Sequence, residues 1–250
     1  MEDDDLTILP IKEDKSIEPA KRKIHPNLPD LERGSLVLLV SPIRTGKSTV
    51  ISNWLLSPKF MRNAFDIVYI ISNTIHNCST SRFLKEMYPE TIFDEYSDDI
   101  IKNIINYQKS FDKKNQPRIA VIMDDHLGIK GGSMIYHLAS RFRHYGIKLL
   151  LFASQLFRGL PPILRQNATH VLVGGPNPST TEIDKIAEEY GALYEGPDNF
   201  KRLYAQAVNK RYNFLYLDLH SNPSKAYQNF NKLIYTGKEA EEQSNDILNN

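Results

Sequence analysis

The chain has 250 residues, 41% of them hydrophobic, and its 31 basic and 30 acidic side chains leave a formal net charge of +1. This is enough apolar material for a substantial core, and the near-neutral balance means that any nucleic-acid contact must come from a local basic patch. The single cysteine, Cys78, excludes an internal disulfide and fits a reducing compartment; the acidic start Met1–Asp5 is unlike a signal peptide, and no apolar run approaches the ~20 residues of a membrane span.

Residues 1–32 mix charges with Pro10, Pro19, Pro26 and Pro29 and show no sustained periodicity, which predicts an extended leader. From Leu36 onward, short runs rich in Val, Ile and Leu recur at Leu36–Val40, Ile67–Ile71, Ile119–Met123, Ile147–Phe152 and Val171–Val173. Unbroken apolar runs of this length predict strands buried on both faces. Between them, Lys47–Leu56, Ser81–Tyr88, Asp98–Phe111 and Ser133–Tyr145 have helical patterning, giving the alternation of an α/β fold with a mostly parallel sheet. Arg202–Val208 and Phe214–Leu219 flank Asn209-Lys210-Arg211 and predict an antiparallel hairpin at the sheet edge. The organisation expected is a leader (1–32), a main domain (33–220) and a polar C-terminal segment (221–250), with no internal repeat.

The first strand runs directly into Ser41-Pro42-Ile43-Arg44-Thr45-Gly46-Lys47-Ser48-Thr49 and then into a helical stretch. A bound phosphate needs inward-turned backbone N–H groups, a helix N-terminus, a lysine for the β/γ oxygens and a hydroxyl for Mg²⁺, and this strand–loop–helix segment offers all four. Gly-Lys-[Ser/Thr] alone arises by chance in about one chain in eight of this length, so the assignment depends on the flanking strand and helix and on a second motif. The loop departs from the usual G-x-x-x-x-G-K-[ST] at Ser41, where the pattern has a glycine that takes backbone angles a serine does not.

The second motif is Ile119-Ala120-Val121-Ile122-Met123-Asp124-Asp125. A strand of this kind beside the P-loop strand would bring Asp124 to the Mg²⁺ shell, with Asp125 polarising the attacking water in the place where glutamate is common. The plainer reading of the pair is a helix cap. Downstream, Arg141-Phe142-Arg143-His144-Tyr145-Gly146 leads into an apolar strand ending at Gln155, a polar amide placed to sense a γ-phosphate or hold the water.

In this order the pieces resemble the FtsK/HerA superfamily of DNA-pumping ATPases: Gly46-Lys47-Ser48, the strand ending Asp124-Asp125, Arg143 with Gly146-Ile147 leading to Gln155, and Leu160-Pro161-Pro162 before Arg165-Gln166-Asn167. The Asp-Asp pair, Arg143-His144 and the Pro-Pro to Arg-x-Asn segment look most like the poxvirus-type packaging ATPases of large DNA viruses and their virophages, over about residues 26–175. The resemblance implies a RecA-like P-loop NTPase core in a homo-oligomeric ring. ATP and Mg²⁺ would lie between subunits, and double-stranded DNA, held without sequence preference, in the pore. It further implies a capsid or vertex protein as partner, and the host cytoplasm or a viral factory as location, or retention in the virion. An arginine would reach the neighbouring subunit's γ-phosphate, Arg143 first and Arg165 second; the alternative for either is a surface or DNA-facing role.

Basic clusters that would meet phosphates are Lys109 with Lys113 and Lys114, Lys201-Arg202 and Lys210-Arg211, while Lys21-Arg22-Lys23 would equally dock on an acidic capsid surface. Two other readings stay open: a nucleotide or nucleoside kinase, which shares the P-loop, and a nucleotide-binding scaffold without turnover.

Overall fold

Every residue of β1 (Ser35–Val40) and β4 (Ile119–Asp124) is buried, and β5 (Ile147–Ser154) has one partly exposed side chain. Strands so apolar on both faces belong in the interior of a parallel sheet with helices on each side. That is the architecture of the computed structural model, which describes residues 24–75, 82–124, 133–177 and 179–237. With β2 (Ile67–Ser72), β3 (Ile92–Phe93), β6 (His170–Gly174), β7 (Phe214–Asp218), β8 (Lys225–Gln228) and β9 (Lys232–Thr236), the sheet has the order β3-β2-β4-β5-β1-β6-β7-β8-β9. Strands β1 to β6 are mutually parallel, and β7, β8 and β9 add in antiparallel succession.

Successive residues of a strand face opposite sides of the sheet, and each side has its own core. Leu36, Leu38 and Val40 pack with α3 (Asp98–Lys109), α4 (Met134–Arg141), α5 (Pro162–Gln166), α6 (Thr180–Tyr190) and α7 (Pro197–Ala207). Val37 and Leu39 pack with α1 (Lys47–Leu56) and α2 (Arg82–Met87). The helices form for local reasons. In α3, Ser97 caps the first turn by accepting from Ile100 N, Asp98 and Asp99 favour the positive end of the helix dipole, and Ile101, Ile104, Ile105 and Gln108 form the buried stripe.

Three features differ from the sequence expectation. The predicted strand at Arg202–Val208 is the second half of α7: Phe200, Leu203, Tyr204 and Ala207 are buried at helical spacing, and Pro197 starts the helix. The antiparallel edge is instead built from β7, β8 and β9, so the sheet continues to Thr236, past the boundary expected at residue 220. Within the expected leader, Leu28 and Leu31 are 4% and 3% exposed in the core beneath the α1 face; two leucines three apart find that apolar surface despite the surrounding prolines. Residues 1–23 of the leader, including Lys21-Arg22-Lys23, lie outside the described residues, as do Lys238 to Asn250.

Phe230, in the turn between β8 and β9, packs tilted or edge-on against four rings, its centroid 5.6 Å from those of Trp54 and Phe60, 4.8 Å from Phe214 and 5.1 Å from Tyr216. It thereby joins the antiparallel edge to α1, the helix that follows the phosphate-loop motif. Phe230→Ala is expected to destabilise the protein by about 3–5 kcal/mol, the usual cost of emptying a closed aromatic site. Urea unfolding checks this, and a loss under about 1 kcal/mol would mean the cluster collapses to fill the space.

Candidate active site

The loop Ser41–Gly46 leaves the C-terminal end of β1, and its shape is held by its own side chains. Ser41 N donates to Ser154 O at 2.9 Å, anchoring the loop to β5. The Ser41 and Thr45 hydroxyls hydrogen-bond to one another, and Thr45 Oγ1 donates to Pro42 O at 2.6 Å. Arg44 and Gly46 both have left-handed backbone angles, φ 62° and 103°, which turn neighbouring N–H groups to one side as in an anion-binding nest. Gly46 is the N-cap of α1 with no side-chain cap, so the first N–H groups of the helix remain open to an anion. Lys47 Nζ crosses the loop to donate to Ser41 O at 2.9 Å.

Ser41 itself is not among the residues with positive φ, so the position needs no glycine for its backbone. Its side chain is 2% exposed and takes space that Gly174, at the end of β6, leaves open: a Cβ built at Gly174 would lie 2.7 Å from Cβ of Ser41 and closer still to its hydroxyl.

Asp124 ends β4, but β4 is not beside the P-loop strand as expected. The eight-residue β5, buried on both faces, pairs with each of them and separates the two. The register aligns Val40 with Ser154 and Asp124 with Ala153, so Gln155 leaves the sheet between the loop and Asp124. Ser48, Ser72 and Asp124 line one small pocket, closed below by Ile51, Ile70, Ile75, Leu84 and Ile122. Ser72 carries no sequence signal; it arrives because β2 pairs with β4 in a register that sets it opposite Asp124. Asp125 lies outside the described residues.

The segment after Gln155 is tied down by a second residue without a sequence signal. Glu182 of α6 is 1% exposed and accepts from Phe157 N at 2.8 Å and from Arg158 Nε at 2.5 Å. Of the two finger candidates, Arg143 is exposed in the turn before β5, at the N-terminal edge of the sheet, roughly one strand length (~20 Å) from the loop. Arg165 pairs with Glu189 at 2.9 Å and lies 5.0 Å from the Phe157 ring, both within the chain. Among the basic clusters, Lys201 pairs with Asp184 at 2.7 Å and Lys109 lies over the Tyr145 ring. Lys210 and Arg211 are exposed in the loop between α7 and β7, not in a hairpin turn.

A phosphate-loop motif on the central parallel strand, a carboxylate two strands away and a polar amide ending the strand between them define the fold of a P-loop ATPase. Among solved structures, the chain is similar to B204, the DNA-packaging ATPase from Sulfolobus turreted icosahedral virus, with TM-score 0.55 and 21% identity over 77% of this chain and 96% of that one. It is equally similar to the genome-packaging NTPase B204 from Sulfolobus turreted icosahedral virus 2 in complex with ATP-γS, with TM-score 0.55 and 20% identity over 79% and 97% of the two chains. The complex of that NTPase with AMPPCP gives TM-score 0.53 and 22% identity over 78% and 96%. No protein-family model and no curated protein matches the sequence. The chain thus has the fold of the viral genome-packaging ATPases, the fold its motifs resemble.

Proposed function

We propose that this chain is an ATPase that drives viral double-stranded DNA into a preformed capsid as one subunit of a homo-oligomeric ring. The observation that carries the reading is the convergence of Lys47, Ser48, Asp124 and Gln155 on one edge of a sheet shared with genome-packaging ATPases. In this reading the loop N–H groups and Lys47 bind the β- and γ-phosphates, and Gln155 orients the water. Asp125 accepts its proton as the bond between the γ-phosphorus and the β–γ bridging oxygen breaks.

Among the described residues no cluster of three or more His, Cys, Asp or Glu would hold a metal unaided. Ser48 and Asp124 instead offer hard oxygen donors at one pocket, the donor type Mg²⁺ takes alongside nucleotide phosphates and water. Mg²⁺ bound there would neutralise charge on the phosphate oxygens. Arg143 remains the first candidate for the residue completing a neighbouring site, because at its distance from its own loop any contact with a γ-phosphate would have to be made across a subunit boundary. Arg165, held by Glu189 and Phe157, would first have to leave those partners. No helix among the described residues is long and apolar enough to cross a membrane.

ATP turnover measured with and without double-stranded DNA tests the proposal. Stimulation by DNA of unrelated sequences, weakening steeply with salt, is the expected result. Phosphate transfer to a small acceptor without any response to DNA would instead establish a kinase, and nucleotide binding without turnover would establish a scaffold.

A further inference from the structure

The loop between α7 and β7 returns to the sheet beside the phosphate loop, because β7 is antiparallel to β6 and pairs Phe214 with Gly174 at the same edge. It carries Tyr212, which is 55% exposed although aromatic, and whose backbone is left-handed at φ 69°. A tyrosine seldom adopts that conformation, and it persists only where the surroundings enforce it. Here they do. Asn213 N donates to Lys210 O, closing the turn at 3.2 Å. Asn213 Nδ2 donates to Asn209 Oδ1, Asn229 Nδ2 donates to Asn213 Oδ1, and Gln228 Nε2 donates to Asn209 Oδ1. The Arg211 guanidinium lies 4.8 Å from the Tyr212 ring centroid, bracing the ring. A Cβ built at Gly46 would lie 3.7 Å from Cδ1 of Tyr212, so the ring stands directly against the phosphate loop.

We infer that Tyr212 is the platform on which the base of the bound nucleotide stacks, with Arg211 supporting the ring. The inference rests on the nucleotide-site reading above and extends it from the phosphates to the base. An exposed aromatic ring on a hydrogen-bonded turn beside Gly46 supplies what the phosphate loop lacks, a flat apolar surface for a purine. The site offers stacking, so it discriminates a nucleotide from a bare polyphosphate more strongly than it discriminates one purine from another.

The test compares binding of ADP and of inorganic tripolyphosphate to the full chain and to three variants. Tyr212→Ala weakens ADP by roughly 5- to 100-fold, the range for loss of one base–aromatic stack, and leaves tripolyphosphate unchanged. Tyr212→Phe and Tyr212→Trp keep ADP affinity within a few-fold of the parent. ADP binding that Tyr212→Ala does not move, or an equal loss for both ligands, overturns the assignment. Lys47→Ala separates this from the underlying reading: if neither ligand depends on Lys47, both fail, whereas Lys47-dependent ADP binding indifferent to Tyr212 overturns the base platform alone.

Discussion

Lys47→Ala is expected to lower ATP turnover by at least about 10²- to 10³-fold, the usual cost of removing one charge-stabilising donor from a transition state. The side chain makes a 2.9 Å hydrogen bond to Ser41 O across the loop, and a charge-assisted bond of this kind contributes about 1.5–3 kcal/mol to stability. The loss of turnover should therefore far exceed what any loss of folded protein at the assay temperature explains. Steady-state phosphate release paired with a melting curve distinguishes the two effects. Parental turnover in a folded Lys47→Ala protein would remove the basis for calling Ser41–Thr49 a phosphate loop.

The second large effect is expected at Asp124. Asp124→Asn preserves shape at a position that is 9% exposed and removes the negative charge from the pocket shared with Ser48 and Ser72. Turnover should again fall by about 10²- to 10³-fold, and the Mg²⁺ concentration giving half-maximal rate should rise. A variant that is less stable yet keeps its rate and Mg²⁺ response would identify Asp124 as a helix-capping residue, the plainer reading of the Asp-Asp pair.

How far the sequence exposes this site depends on how local each part is. The phosphate loop is legible because strand, loop and helix are consecutive, and the predicted helix Lys47–Leu56 has the bounds observed. The five buried strands are legible because parallel central strands are apolar on both faces. Helices α6 and α7 are harder to read: polar and charged residues surround their short apolar stripes, and Arg202–Val208 reads as easily as a strand until the burial of Phe200, Leu203, Tyr204 and Ala207 is seen. Short strands such as β8 and β9 carry too few consecutive apolar residues to stand out.

Residues assembled by topology were not legible at all. Ser72 gains its place from pairing with β4, Glu182 from a helix folded back under Gln155, and Tyr212 from the reversal of direction at β7. The same limit applies to the arginines, since only the direction of β5 reveals that Arg143 sits at the edge away from its own loop. Position in sequence next to a motif says nothing about which end of a strand it occupies.

The contact between Ser41 and Gly174 makes two distant positions share the room of one side chain. The atom that a glycine at 41 would omit is omitted at 174 instead, so the sheet keeps its packing while the loop gains a hydroxyl that latches Thr45. The shape of the loop is therefore specified partly by a strand that contributes none of its residues. Neither position is free to drift alone: a methyl group added at 174 would be felt first at the loop. A relative restoring glycine at 41 would have both lost the latch and regained the freedom to carry a side chain on β6.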